Sequence, residues 1–325
     1  MKVIRAKVLG FCFGVRRALD ICLAELGAKG RAYSMGALIH NPQVMEGLKQ
    51  KGLCLLDEDA LPPVFSGDTV IIRAHGVSPR LEAELLRRGA RLVDATCPKV
   101  KASQLKVRSL CEEGYRVFLA GEKNHGEVIG LQAYAQAAGG THGPGCILVK
   151  NSEEAENAAA ELKKNSSTFI KTALIGQTTI SAGEYAAIKE SIKKYFPDLE
   201  TVDSICNATV ERQESLRELC GMVDAVIVAG GRASSNTRRL FAVARAEGKS
   251  VWLVEDPSGI EEVMAEMPYG GDKINSLKSR SPERHMSCPV PYQSIGLCAG
   301  ASTPDEVIDQ IESKLKTLEP VSKPG

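Results

Sequence analysis

The sequence predicts an α/β protein of three similar units with mainly parallel sheets, and three observations support this. Hydrophobic segments typical of buried strands alternate with amphipathic helical patterns along the 325 residues. The phrase VDATCPKV at 93–100 returns as VDSICNAT at 202–209, with its cysteine 109 positions later. Polar loop residues follow three of the cysteines at the same distance of 28 positions: His40, His125 and Ser234. A threefold internal repeat accounts for all three observations.

The three cysteines that begin these repeats stand at predicted strand-to-helix junctions. They are Cys12, Cys97 and Cys206. Each precedes a stretch with apolar residues at helical spacing, and a helix N-terminus stabilises a thiolate. Cys54 and Cys146 fall in predicted strands and are interpreted as packing residues, and Cys288 lies in a polar stretch that is expected to be exposed. The three junction cysteines are therefore the candidate metal ligands.

Each unit offers a second polar loop after another predicted strand, at His75, Thr178 and Ser302. In parallel α/β sheets the carboxyl ends of the strands carry the functional loops. Three units in a pseudo-threefold arrangement would direct these loops and the cysteines toward one central cavity.

The predicted boundaries follow the cysteines. The first unit covers residues 13–96, the second 97–205, and the third 206–317, completed by an N-terminal strand within 1–12. A segment at 270–292 is interpreted as an insertion before the last strand, and 318–325 as a tail.

Composition excludes several classes of partner. A formal net charge of +1 provides no field that would gather nucleic acid or an anionic membrane. No apolar run has the length of a transmembrane helix and the N-terminus does not resemble a secretory signal, so a cytoplasmic protein is expected. The absence of any C-x-x-C pair argues against a zinc ribbon or a thioredoxin-like centre.

Three cysteines that converge from distant positions suggest an iron–sulfur cluster with one iron free of protein ligands. The competing interpretation is zinc held by three cysteines and a histidine, with His40, His75 or His125 as the nitrogen ligand. Zinc sites usually take two ligands from one short motif, whereas 85 and 109 positions separate these cysteines. The spacing favours the cluster.

The polar loops carry compact hydrogen-bonding groups that suit phosphate oxygens. They are His40, His75, His125, Thr178, Ser234, Ser235, Asn236 and Ser302. Three of the five histidines of the chain fall in these loops, which favours a functional role. Glu127 lies two residues after His125, and an enclosed site would favour its protonated form and make it a proton donor.

An ordered set of motifs resembles a known family. In chain order, GFCFGV, RAHGVSP, DATCP, NHGEV, QTT, DSICNAT, GGRASSNT and AGAS are similar to the signatures of the 4-hydroxy-3-methylbut-2-enyl diphosphate reductases. The resemblance extends from about residue 10 to about residue 315. This family carries out the last step of the methylerythritol phosphate route to isoprenoids.

The resemblance implies a 4Fe–4S cluster held by Cys12, Cys97 and Cys206, with the allylic hydroxyl of the substrate at the open iron. Two electrons and two protons would remove this hydroxyl as water and give isopentenyl and dimethylallyl diphosphates. A carrier such as ferredoxin or flavodoxin would supply the electrons. The implied diphosphate ligands are His40, His75, His125, Ser234, Ser235, Asn236 and Ser302. Glu127, Thr178 and His125 would form the catalytic group, with Glu127 as the proton source and Thr178 near the hydroxyl.

Two departures from the family pattern are local. Phe13 stands where alanine is commoner, so packing beside the cluster is expected to differ, and Cys298 stands where threonine or isoleucine is commoner. Two other functions stay open as alternatives: a zinc-dependent hydrolase of phosphorylated small molecules, and a non-catalytic iron–sulfur sensor.

Overall fold

The structure is a computed structural model that describes residues 2–57, 61, 67–139, 145–165, 170–266 and 292–317. Except for Tyr292, the predicted insertion at 270–292 lies outside the described residues, as do Cys288 and the tail at 318–325. The chain divides into two compact units. One is Cys12–Val210, here the 12–210 unit; the other is Met1–Phe11 with Glu211–Gly325, here the 211–325 unit. The boundaries of the three units predicted from the sequence stay a prediction.

Strands and helices alternate along the described residues. The strands are β1 (Lys2–Arg5), β2 (Ala32–Met35), β3 (Leu53–Leu56), β4 (Thr69–Ile72), β5 (Arg91–Asp94), β6 (Arg116–Ala120), β7 (Cys146–Val149), β8 (Thr172–Gly176), β9 (Glu200–Thr201), β10 (Ala225–Ala229), β11 (Ser250–Val254) and β12 (Ser294–Ala299). The helices are α1 (Phe13–Lys29), α2 (Pro42–Gln50), α3 (Pro79–Arg87), α4 (Pro98–Glu112), α5 (Gly126–Gly139), α6 (Ser152–Lys164), α7 (Ala182–Lys193), α8 (Asn207–Cys220), α9 (Ser235–Ala246), α10 (Gly259–Glu266) and α11 (Asp305–Lys316).

The strands form three four-stranded sheets in which every pairing is parallel. The 12–210 unit holds two of them, with the orders β3-β2-β4-β5 and β7-β6-β8-β9. The 211–325 unit holds the third, β11-β10-β12-β1. Each sheet repeats one pattern, in which the first strand of the set lies between the second and the third. In the third sheet the N-terminal strand takes the fourth place. The predicted α/β class with parallel sheets is confirmed.

The central strands are buried on both faces, which explains their continuous apolar sequences. In β10, Ala225, Ile227 and Ala229 join one hydrophobic cluster, while Val226 and Val228 join another on the opposite face. The strand β6 divides between two clusters in the same alternating way. A side-chain period of two in a parallel sheet covered on both faces produces this division.

Several helices that follow strand ends begin with a hydroxyl or amide cap. Asn41, Ser78, Asn151, Ser181 and Ser234 each accept a hydrogen bond from a backbone N–H in the first turn of their helix. Helices α1 and α4 differ, because Cys12 and Cys97 occupy the capping position and make no side-chain capping bond within the described part of the chain.

The predicted polar loops follow the two central strands of each sheet. His40 and His75 follow β2 and β4, His125 and Thr178 follow β6 and β8, and Ser234 and Ser302 follow β10 and β12. Helices leave two neighbouring parallel strands at this point and open a crevice beyond their carboxyl ends, where ligands usually bind. The fold therefore places the predicted loops at the expected position in each sheet.

The remaining cysteines correct one interpretation. Cys54 lies in a strand, as predicted, but it is exposed, because β3 is an edge strand of its sheet. Cys146 packs against a hydrophobic cluster, and Cys298 is buried in the core of the 211–325 unit.

Across the described residues, we find no helix with both the length and the apolar character needed to cross a bilayer.

Candidate functional site

Cys12, Cys97 and Cys206 come together in the 12–210 unit. A Cβ atom added at Gly14 would lie 2.6 Å from Cys97 Sγ, so the first turn of α1 packs directly on that sulfur. Burial raises the pKa of the Cys97 thiol; backbone N–H groups at the start of α4 oppose this, and the sulfurs of Cys12 and Cys206 raise the pKa further. The three thiols therefore lie close enough to interact electrostatically. All three are partly exposed.

A hydrogen-bonded chain joins Cys206 to a buried acid. The backbone N–H of Cys206 donates to the carbonyl oxygen of Thr178 over 2.9 Å. The backbone N–H of Thr178 donates to Glu127 Oε1 over 2.7 Å, and its hydroxyl lies 2.9 Å from Oε2. Glu127 is only 1% exposed. The loop after β8 thus holds both carboxylate oxygens beside the segment that carries Cys206.

His40, His75 and His125 form a second cluster in the same unit. Their ring centroids are 4.5 Å apart for His40 and His75, 5.7 Å for His40 and His125, and 5.4 Å for His75 and His125. One ring nitrogen of each lies within 4.8 Å of the others, a spacing that a metal ion or a small anion would both fit. Whether the ring nitrogens carry protons decides between a metal ion and an anion.

The hydrogen bonding of His125 favours an anion. Its Nδ1 accepts a hydrogen bond from the backbone N–H of Glu127 over 3.2 Å. A neutral imidazole that accepts at Nδ1 carries its proton on Nε2, so its second nitrogen is a donor. A donor N–H binds phosphate oxygen and cannot coordinate a metal ion without changing its tautomer. The cluster is therefore better suited to an oxyanion.

Arg73, which was not predicted from the sequence, lies next to this cluster. Its Nη2 is 3.6 Å from the point that a Cβ atom of Gly126 would occupy, at the start of α5, and its Nε donates to the Gly76 carbonyl over 3.3 Å. A cation at a helix N-terminus reinforces an anion site. The signal was available, since Arg73 stands two residues before His75 in the motif RAHG.

His75 provides a prediction for pH dependence. Burial, then the rings of His40 and His125, then the charge of Arg73 hold the pKa of His75 well below 6.5. As pH falls below about 6.5, His75 therefore binds a proton in the unfolded chain but not in the folded chain. The free energy of unfolding then decreases by about 1.4 kcal/mol for each pH unit. We expect thermal unfolding to show this extra acid sensitivity in the wild type and not in His75→Asn. If the unfolding temperatures of the wild type and of His75→Asn changed equally between pH 7.5 and pH 5.5, this prediction would be wrong.

The remaining predicted residues form a polar cluster in the 211–325 unit. Ser234 caps α9 and accepts from the Thr237 N–H over 3.4 Å, and Asn236 Oδ1 accepts from the Ala301 N–H over 3.0 Å. The second bond brings the start of α9 to the loop that carries Ser302. The predicted residues here are all buried: Ser234, Ser235, Asn236 and Ser302.

Comparison with known sequences shows the family. The model of a family described as LytB protein matches residues 3–316. A relative from Treponema denticola is 41% identical and is covered over 99% of its length by 97% of this chain. One from Aquifex aeolicus is 34% identical, with 97% of this chain and 96% of the relative covered. Both relatives are named 4-hydroxy-3-methylbut-2-enyl diphosphate reductase.

Two solved structures have the same fold. One, of the E-1-hydroxy-2-methyl-but-2-enyl-4-diphosphate reductase from Plasmodium falciparum, has a TM-score of 0.79 at 25% identity, with 97% of this chain and 88% of that chain covered. The other, described as the terminal enzyme of the non-mevalonate pathway, has a TM-score of 0.63 at 33% identity, with 97% and 99% covered. The chain belongs to the LytB family, an iron–sulfur family, and is an oxidoreductase.

Proposed function

We propose that the chain catalyses the reductive dehydroxylation of 4-hydroxy-3-methylbut-2-enyl diphosphate to isopentenyl diphosphate and dimethylallyl diphosphate. Two electrons and two protons are consumed, the allylic C–O bond breaks, and the oxygen leaves as water. The observation that carries the proposal is the chain of contacts from Cys206 through Thr178 to buried Glu127, which puts a candidate metal ligand and a proton donor at one site. The names of the relatives support the choice of substrate.

We propose that Cys12, Cys97 and Cys206 hold a 4Fe–4S cluster. Three soft sulfur donors suit iron–sulfur chemistry, and the capping position at α1 and α4 places two of them where a helix N-terminus favours the thiolate. Neither cysteine makes a side-chain capping bond within the described residues, and backbone N–H groups at the start of α4 oppose the rise in the pKa of the Cys97 thiol. When bound, the cluster would supply single electrons and, at the iron that the protein does not ligate, a Lewis acid.

The protein side chains divide the remaining work. His40, His75 and His125 donate to oxygens of the diphosphate, supported by the proton position on His125. Thr178 orients the substrate hydroxyl, and Glu127 holds the proton that the reaction consumes, through an oxygen 2.9 Å from the Thr178 hydroxyl. Four further residues are proposed as phosphate-oxygen ligands: Ser234, Ser235, Asn236 and Ser302.

Anaerobic purification tests the proposal. We expect about four iron and four sulfide per chain, an electron paramagnetic resonance signal after reduction, and turnover of the substrate with dithionite-reduced methyl viologen. A colourless protein that contains zinc and no iron would favour the zinc-dependent hydrolase. A cluster without turnover or binding of a prenyl diphosphate would favour the sensor.

We propose that the electron donor is a small ferredoxin- or flavodoxin-type carrier that approaches beside Cys12. Phe13, the next residue, is 73% exposed at the first position of α1. The residues that follow the other two cysteines, Pro98 and Asn207, are also exposed. An exposed aromatic ring beside a redox centre is a suitable anchor for a partner, since aromatic residues dominate the binding energy of many interfaces.

This position for the carrier predicts a selective effect of Phe13→Ala. We expect the KM for the reduced carrier to rise about tenfold, the cost of losing one aromatic anchor. Turnover with reduced methyl viologen stays unchanged, because a small reductant needs no docking surface. Leu86→Ala is the matched control, since Leu86 is 58% exposed on α3. An unchanged KM for the carrier would argue against this approach.

A further inference from the structure

Gln104 is a fully buried amide that neither the sequence motifs nor the proposed function use. It lies on α4, seven positions after Cys97, and is 0% exposed. Its Nε2 donates to the carbonyl oxygen of His75 over 3.3 Å, and its Oε1 has no hydrogen-bond partner within the described residues. A buried amide oxygen without a hydrogen bond lowers the stability of the fold. Such a group is retained where packing or function requires the residue.

Two glycines make room for this amide. A Cβ atom at Gly76 would overlap Gln104 Nε2, and it would lie 3.1 Å from Oε1. A Cβ atom at Gly130 would lie 3.0 Å from the same Nε2 and 3.6 Å from the His75 carbonyl oxygen. The amide group is therefore enclosed between the loop that carries His75 and the helix α5.

This position connects three parts of the site. Helix α4 begins directly after Cys97, the loop after β4 carries His75, and Gly130 lies one turn after Glu127 on α5. Gln104 belongs to α4, and its side chain spans the space between the loop that carries His75 and α5. The His75 loop and α5 therefore both lie against the Gln104 amide.

We propose that Gln104 is a positioning residue that holds His75 at its distance from His125, so that both imidazoles reach the same phosphate group. The inference rests on the proposed function of the histidine cluster. The His75 and His125 centroids are 5.4 Å apart, and hydrogen bonds to a shared oxyanion tolerate only a few tenths of an ångström. Loss of the Gln104 bond to the His75 backbone frees that loop to move by more than this.

The test measures binding of inorganic pyrophosphate by calorimetry to the anaerobically purified protein, alongside kcat and KM for the substrate. Gln104→Met keeps the length of the side chain and removes the donor. We expect the Kd for pyrophosphate and the KM to rise about tenfold, with kcat within about twofold. Gln132→Met, the same exchange on α5 outside these contacts, leaves all three unchanged. A merely structural role would lower the unfolding temperature and the active fraction without raising the Kd.

A second variant approaches the same contact from α5. Gly130→Ala keeps Gln104 and pushes a methyl group against its amide, so we expect a similar rise in the Kd. In a Gln104→Ala background the space is free, and adding Gly130→Ala changes nothing further.

An unchanged Kd in Gln104→Met, or an equal rise in Gln132→Met, would overturn the role of Gln104. A wild-type protein that binds pyrophosphate but turns over no substrate would instead refute the proposed reaction, and the comparison of Kd values would still decide on Gln104.

Discussion

Replacement of Cys97 by serine is expected to remove the cluster and to reduce turnover by more than about 100-fold. Changes to groups that only support a metal ligand already cost about 10- to 100-fold, so loss of a ligand costs more. Cys97 is central among the three cysteines, because its sulfur contacts the start of α1 and interacts with both Cys12 and Cys206. Iron and sulfide content, the electron paramagnetic resonance signal and turnover with reduced methyl viologen should fall together.

Cys54→Ser is the matched control for this prediction. Cys54 is exposed on the edge strand β3, so the exchange changes a thiol without disturbing the site. We expect it to keep full iron content and turnover. A Cys97→Ser protein with wild-type iron and activity would refute the assignment of the three cysteines as cluster ligands.

The repeat of the fold was readable from the sequence because it leaves local marks. A hydrophobic strand, a cysteine and an amphipathic helix are each coded within about 20 residues, and two of the three copies share the phrase VDxxC. Burial was less readable. Cys54 and Cys298 both lie in apolar stretches, yet Cys54 is exposed and Cys298 is buried, with 1% of its surface exposed. The position of the strand in the sheet decides this burial, and sequence periodicity does not report that position.

The site was readable where function sits in loops at strand ends, and not where it depends on contacts between helices. His40 and His75 were assigned to two polar loops of one unit, and the structure places these loops after the neighbouring strands β2 and β4. Gln104 could not, because its partners His75 and Gly130 are 29 and 26 positions away and the contact exists only once α4, α5 and the loop have packed. Glu127 was expected near a loop; the structure buries it in the first turn of α5, against Thr178.

Glu127→Gln is expected to lower kcat by about 10²- to 10⁴-fold while KM and iron content stay close to wild type. The carboxylate presents Oε1 to the Thr178 N–H at 2.7 Å and Oε2 to the Thr178 hydroxyl at 2.9 Å. A glutamine amide has the same shape and keeps one oxygen to accept from the N–H. Its other group is an NH₂ that donates to the hydroxyl but has no proton to transfer at neutral pH. Binding therefore survives and protonation does not.

Steady-state kinetics with reduced methyl viologen, together with the Kd for inorganic pyrophosphate, separate these two effects. A selective loss of kcat identifies a group that acts in the transition state, whereas a loss of binding would appear first in KM and in the Kd. Glu190→Gln, on the exposed face of α7, is the matched control, because it removes a carboxylate from the same unit without touching Thr178. If Glu127→Gln turned over at the wild-type rate, the proton would have to come from elsewhere, and the contacts between Glu127 and Thr178 would be structural only.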